Sequence, residues 1–289
     1  MNNAKTILIT GASSGFGRDT AETLAKAGHQ VYASMRNISD RHSVVANELK
    51  NLGIKVVELD VTDDASVDRA VAAVLKDAGK IDVLINNAGM ASAGVSEAFT
   101  ADQAKVLFNT NVVGVLRTTR AVLPAMRAAK DGLIINVGSV LGRVTFPFFG
   151  IYGASKFAVE ALTDSFRLEL SQLGVDVVLV QPSAYPTNMY SAIQQPADTA
   201  VAEAYGEVGA IPGKMFETFM GMFSADNAPN PHDVPVAIAD LIAQAKGSRA
   251  ARTVVGQSFG ADALNAATSP VQQGVVEALG LGHLATLAV

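Results

Sequence analysis

Between Thr6 and Val180 the chain alternates short, β-branched apolar runs with longer patterns of helical period, and that alternation leaves few architectures open. The strand-like runs are Thr6 to Thr10, Gln30 to Met35, Lys55 to Leu59, Asp82 to Ile85, Leu133 to Val137 and Asp176 to Val180. The helical patterns close at Gly28, Gly53, Gly79 and Gly174, glycines being free to take the positive φ that ends a last turn. Strands joined through a helix run parallel, and a parallel sheet needs cover on both faces. A further helical pattern over Val234 to Gln244, with Asn230 and Pro231 as its cap and first turn, precedes a seventh run, Arg252 to Gly256. The spacing therefore predicts an α/β fold, a doubly wound parallel sheet of about seven strands with helices on both faces. At 289 residues and 49% hydrophobic, with no Pro/Gly/Ser linker, the chain has material for a single domain over 1–289. In finer detail, Thr100-Ala101-Asp102-Gln103 has the form of a capping box, and Pro124 should kink or end its helix near Val122.

Composition removes several classes of function. The net charge is -5 with both signs interspersed, so no basic stripe offers itself to nucleic acid or to an anionic membrane surface. Without cysteine there is no disulfide framework, thiolate metal site or cysteine nucleophile, and His29, His42, His232 and His283 form no ligand-spaced cluster. No metal is expected. Met1 to Lys5 lead straight into the first strand, leaving no room for a secretion signal, and no segment approaches the ~20 apolar residues of a membrane span. A soluble, cytoplasmic protein is expected.

The candidate functional residues fall at strand carboxyl ends or in the helices that follow, the edge at which doubly wound sheets bind ligands. The turn Gly11-Ala12-Ser13-Ser14-Gly15-Phe16-Gly17 lets the backbone approach a phosphate closely, with helix N–H groups facing the anion, although such glycines also serve packing alone. The second strand ends in Met35-Arg36, where an acid would accept from the ribose 2′-hydroxyl of NAD. Arg36 cannot accept but can pair with a 2′-phosphate, which favours NADP over NAD; the alternative is a solvated arginine. Asp60 is placed either to accept from an adenine amino group or to enter the following helix. Asn86-Asn87-Ala88-Gly89 is a small, polar strand end, and Asn111 is a mildly unfavourable helix-interior residue that asks for a reason.

Ser139, Tyr152 and Lys156 carry the chemistry. On a helix Lys156 lies one turn from Tyr152 on the same face, where its ammonium would favour the phenolate and bring a group that ordinarily titrates near pH ~10 toward working range. Ser139 would supply a hydrogen bond to the same reacting oxygen. The plainer alternatives are that Lys156 pairs with Glu160 and that Ser139 is an ordinary loop hydroxyl.

Taken together, Thr10-Gly11-x3-Gly15-x-Gly17, Asn86-Asn87-Ala88-Gly89, Asn111, Ser139 and Tyr152-x3-Lys156 resemble the short-chain dehydrogenase/reductase family in its compact branch, over about residues 5–190. The resemblance implies a Rossmann-type fold in which Tyr152 donates and accepts the proton, Lys156 lowers its pKa and holds the nicotinamide ribose, and Ser139 orients the substrate oxygen. Asn111 matches the helix asparagine that anchors a water leading protons to Lys156. By the same resemblance Gly11, Ser13, Gly15, Phe16 and Gly17 form the pyrophosphate turn, Asp60 and Val61 the adenine pocket, and Asn87, Ala88 and Gly89 line the cofactor. Pro182, Tyr185 and Thr187 lie in the segment beside the nicotinamide, where Ser183 replaces the usual glycine and Pro186 stiffens the loop. Met35-Arg36 resembles the NADP-preferring members, and the family implies a homodimer or homotetramer packed through the helices of Asn111 and Tyr152.

The segment 188–230 matches the family least and would cover the substrate. Its Met189, Tyr190, Met215, Phe216, Phe219, Met220, Met222 and Phe223, with Phe146-Pro147-Phe148-Phe149 ahead of Tyr152, suggest a bulky hydrophobic substrate, although such stripes also build ordinary core. An NADP(H)-dependent ketone or aldehyde reductase, or alcohol dehydrogenase, is expected. The rival class is an NADP(H)-binding redox sensor or scaffold without turnover; a sugar-nucleotide epimerase would need a larger C-terminal domain and a basic phosphate cluster. The apolar tail, Ala261 to Val289, either makes a subunit contact or packs on its own domain.

Overall fold

The computed structural model describes residues 4–289; the lead-in Met1-Asn2-Asn3 lies outside them. Seven parallel strands, β1 (Thr6–Ile9), β2 (Gln30–Met35), β3 (Lys55–Glu58), β4 (Val83–Asn86), β5 (Gly132–Val137), β6 (Val175–Pro182) and β7 (Arg252–Val255), form one sheet in the order β3-β2-β1-β4-β5-β6-β7. The order reverses between β1 and β4, and that switch point opens the crevice for a ligand. The helices are α1 (Gly15–Lys26), α2 (Ser43–Asn51), α3 (Asp64–Ala78), α4 (Ala101–Phe108), α5 (Gly114–Ala129), α6 (Gly150–Glu169), α7 (Thr199–Ala204), α8 (Ile211–Phe223), α9 (Asp233–Ala243) and α10 (Ala261–Ala278).

Alternation along each strand builds two cores. Ile7, Ile9, Val83, Ile85, Val178 and Val180 meet Ala21 and Leu24 of α1 and Ile238 and Leu241 of α9 on one face. Leu8, Leu84, Ile134 and Val177 meet Val67, Val71 and Val74 of α3 and Val122 and Met126 of α5 on the other. The strands are thus apolar on both faces because both faces are covered.

Several local expectations are met. Thr100 and Gln103 form the reciprocal capping box that opens α4, Gly79 closes α3 with φ +76°, and Gly174 takes φ +72° before β6. Two are corrected. Pro124 does not end α5, which continues to Ala129. Pro124 and Arg120, whose carbonyl the missing N–H would have bonded, both lie on the exposed face, where water replaces the lost bond. Asn230 does not cap α9; the helix starts at Asp233, and the Asn230 side chain accepts from the backbone N–H of His232 (3.1 Å) in a turn just before it.

Beneath the carboxyl edge lies a buried polar network that the strand pattern did not announce. Asn86 donates to Asn136 (2.8 Å) and accepts from Thr118 (2.6 Å), and Asn136 donates to Thr163 (2.9 Å), so β4, β5, α5 and α6 are tied together by side chains with no access to water. Asn136→Ala should leave Asn86 and Thr163 without these partners and cost about 1–3 kcal/mol for each group left unpaired. A lower urea midpoint at unchanged slope would show it; an unchanged midpoint would mean the network contributes nothing.

Candidate active site

The glycine turn comes first, because every other group is placed relative to it. Gly11 and Gly15 take positive φ (+68° and +55°), and a Cβ on Gly11 would lie 2.7 Å from the Cα of Ala88. One on Gly17 would lie 2.3 Å from Nδ2 of Asn87. The segment after β4 therefore rests directly on the turn. Thr10 Oγ1 accepts from the N–H groups of Asn87 and Ala88 (3.0 Å each), while Asn87 Nδ2 donates to the carbonyls of Thr10 (2.9 Å) and Gly11 (3.0 Å). The amide of Asn87 holds the turn in shape, and Thr10, which opens the motif without a role assigned to it, is a positioning residue. Ser14, the N-cap of α1, makes no side-chain capping bond, and the first turn carries no acid. Free helix N–H groups and a turn whose glycines let the backbone come close are what a pyrophosphate requires, so the residues present fit a dinucleotide.

Asn111 has its reason. It sits buried in a π-helical turn, Asn109–Val113, between α4 and α5. Its Oδ1 accepts from the N–H of Met90 (2.9 Å), and its Nδ2 donates to the Met90 carbonyl (2.9 Å) and to Ser155 Oγ (3.1 Å). Ser155 in turn donates to the Tyr152 carbonyl (2.7 Å). One amide thus braces the chain after β4 against the first turn of α6, where Tyr152 lies.

Ser139, at the carboxyl end of β5, has an extended backbone, and its Oγ accepts from the N–H of Leu141 (3.1 Å). Tyr152 and Lys156 are buried on α6. Lys156 Nζ donates to the Val137 carbonyl (3.0 Å) and stands 5.7 Å from the centre of the Tyr152 ring. It does not pair with Glu160, whose buried carboxylate is held by Arg143 (3.2 Å), Arg252 (2.7 Å) and Gln181 (2.5 Å). Phe16, Asn87, Gly89, Pro182, Tyr185 and Thr187 share with Ser139, Tyr152 and Lys156 one cleft of about 870 Å³, its mouth included. Gly11, Ser13, Gly15, Gly17, Arg36, Asp60 and Val61 continue along the same sheet edge beyond β1, β2 and β3, and Ala88 lies just past β4. There the Arg36 guanidinium lies 3.8 Å from the Asp60 carboxylate, which also accepts from the N–H (2.9 Å) and hydroxyl (2.7 Å) of Thr62. Tyr185 is a packing residue as much as a cleft residue, with its ring edge-on to Phe16 (5.7 Å) and its hydroxyl donating to Asp233 (3.4 Å).

The electrostatics differ from the expectation of a depressed phenol. Burial pushes Tyr152 up to about 12, with the Ser139 hydroxyl pulling the other way, and burial pulls Lys156 down to about 8. Desolvation outweighs the attraction between the two groups because both leave water together and the ammonium is drawn to the Val137 carbonyl. At neutral pH the phenol therefore keeps its proton and the lysine most of its charge.

That charge is held at a cost. The unfolded chain keeps the Lys156 proton up to its ordinary 10.5 and the folded chain only to about 8. Below pH 8 the buried ammonium thus opposes folding by about 3 kcal/mol, and the penalty fades as pH rises toward 10.5. Lys156→Met should raise the urea midpoint at pH 7 and lose that advantage toward pH 10. A gain that did not change with pH would show that the ammonium is not desolvated.

The comparisons bear on family and fold. A family model described as short chain dehydrogenase matches residues 5–198. The 3-ketodihydrosphingosine reductase of Bacteroides thetaiotaomicron is 43% identical over 182 residues, 63% of this chain and 64% of that protein, so the match spans somewhat under two thirds of the relative. The structure of a short-chain dehydrogenase from Streptomyces avermitilis superposes with a TM-score of 0.77 at 29% identity, covering 98% of this chain and 99% of that one. A short chain dehydrogenase/reductase from Burkholderia phymatum in complex with NAD superposes with a TM-score of 0.73 at 26% identity, covering 96% and 95%. Fold, motif order and family match together place this chain in the short-chain dehydrogenase/reductase family.

Proposed function

We propose that the chain is an NADP(H)-dependent oxidoreductase that interconverts a hydrophobic carbonyl compound and its alcohol. The observation that carries the reading is that the Tyr152 phenol, the Ser139 hydroxyl and buried Lys156 line one cleft with the glycine turn's own Phe16. A nicotinamide cofactor, when bound, supplies or receives the hydride. Everything else is asked of the chain. Ser139 orients the carbonyl oxygen. Tyr152, protonated with a pKa near 12, gives its proton to the developing alkoxide, a stronger base than a phenolate. The charge on Lys156 stabilises the negative charge that collects there. Asn111 keeps Tyr152 in place through Ser155 and the Met90 backbone.

Arg36 supports NADP over NAD. It follows buried Met35 at the end of β2, is largely exposed, and is kept at the sheet edge by Asp60. The relative from Burkholderia phymatum with NAD makes this a property to be tested on Arg36 itself. The remainder of the cleft, lined by Leu141, Phe146, Phe149, Met189, Tyr190 and Ile193, supports a hydrophobic substrate, with segment 188–230 as its cover.

The test follows NADPH oxidation with a bulky ketone. Tyr152→Phe should bind NADPH as the parent does and lose at least about a hundredfold in kcat, the scale of one general acid. Arg36→Leu should raise the KM for NADPH about tenfold or more and leave that for NADH unchanged. As pH passes 8 the rate of reduction should fall with the Lys156 charge, while alcohol oxidation, which needs the phenolate, should rise. Wild-type turnover in Tyr152→Phe would rule the mechanism out.

A further inference from the structure

Behind the catalytic cleft lies a second chamber of about 920 Å³, its mouth included, and four residues, Phe149, Tyr190, Ile193 and Phe219, line both spaces. We propose that this chamber takes an uncharged hydrocarbon arm of the substrate whose carbonyl sits at Tyr152, so that the site binds long, unbranched or slender apolar carbonyl compounds across the shared wall. The inference rests on the oxidoreductase reading above for its substrate, and on the chamber's own walls for its chemistry.

The remaining walls come from Phe148, Pro212, Gly213, Met215 and Phe216, with Ala93, Ser191 and Gln195 beside them. Among the described residues no charged side chain lines the chamber, so a carboxylate, phosphate or ammonium would enter without compensation, whereas an alkyl chain needs none. Aromatic side chains meet in the shared wall. Phe219 meets Phe149 edge-on at 6.4 Å and Tyr190 at 6.0 Å. Tyr190 lines the catalytic cleft together with Tyr152, and burial raises its phenol, with Tyr152 adding to the effect.

The mounting of the wall points the same way. The helix that carries Phe219, α8, is rich in Met and Phe, yet none of its residues is fully buried, and Phe216 is 41% exposed. Its Pro212, Met215, Phe216 and Phe219 line the chamber. Opposite it, Phe148 holds φ at +67°, uncommon for an aromatic residue, with its carbonyl accepting from the N–H of Gly94 (2.8 Å). In the cleft, Phe16, Asn87, Pro182 and Thr187 face the end expected to hold the nicotinamide. A substrate carbonyl at Tyr152 with a long apolar part is therefore directed toward Phe149, Tyr190 and Phe219, and beyond them into the chamber.

Gly213 provides the test. It lines the chamber and not the cleft, and a Cβ added there meets nothing within 4 Å, so Gly213→Phe should fold and fill the space. Methyl ketones from butanone to tetradecanone would be reduced with NADPH by the parent, by Gly213→Phe and by Met215→Ala. In the parent, kcat/KM should climb up to about fourfold for each added methylene until the chamber is full. Gly213→Phe should cut the long-chain values at least tenfold and leave butanone and NADPH affinity unchanged, while Met215→Ala moves the plateau to longer chains. The same chain-length profile in all three proteins would overturn the chamber while leaving the reductase intact. Were no ketone reduced by any of them, saturable fluorescence enhancement of N-phenyl-1-naphthylamine, lost in Gly213→Phe, would uphold the chamber and count against the oxidoreductase reading. Equal enhancement in the parent and Gly213→Phe would overturn the chamber.

Discussion

The structure depends on keeping two ionisable groups, Tyr152 and Lys156, out of water at the edge of the sheet. Burial moves their proton affinities in opposite directions, to about 12 and about 8, and sets the charge state in which the site rests, a neutral acid beside a cation. An arrangement with an unpaired buried ammonium persists only if its surroundings fix it. Lys156 has a backbone carbonyl as its partner, and Tyr152 stands on a helical turn held from below by Ser155 and Asn111. Stability is given up at the place where the chemistry is done, as active sites commonly require.

The polar clamps around the pair share a logic. Asn87 and Thr10 join the end of β4 to the glycine turn; Asn86, Asn136 and Thr163 join β4 to β5 and α6; Asn111 joins the chain beyond β4 to α6. Each uses a short side chain with both a donor and an acceptor to fix two backbone segments whose carboxyl ends would otherwise be loops. On the far side, by contrast, α8 has little beneath it, and the aromatic contacts of Phe219 with Phe149 and Tyr190 do the joining.

Much of this was legible in the sequence, for physical reasons. Parallel strands buried on both faces leave unbroken apolar runs, and glycines mark where helices stop, so the sheet and the place of Ser139, Tyr152 and Lys156 on it could be read before any coordinates. Pro124 misled because a proline's cost depends on whether its orphaned carbonyl meets solvent, which a local pattern does not encode. The direction of the Tyr152 shift misled as well. Helical spacing gives the proximity of Lys156 but not the burial that outweighs it. The roles of Thr10, Asn86, Asn136 and Ser155 could not be read, since a single polar residue in an apolar run names no partner across the sheet. The role of the apolar tail was not legible either: Gln172 donates to the carbonyls of His283 (3.0 Å) and Thr286 (2.8 Å), while Leu264, Val271 and Val275 of α10 and Leu279 at its end stay exposed.

Chemistry is the least legible level, because a phenol with a raised pKa serves equally a site that turns over and one that only binds. The decisive measurement is stoichiometric. NADPH and a long-chain ketone would be mixed with the purified protein, and the loss of NADPH and the formation of alcohol measured in the same sample. One alcohol formed for each NADPH consumed, over many turnovers, is the expected result. NADPH that binds with measurable affinity yet is never consumed, across ketones and aldehydes from small and polar to long and apolar, would contradict the oxidoreductase reading and leave a nucleotide-binding protein that uses the same fold without turnover.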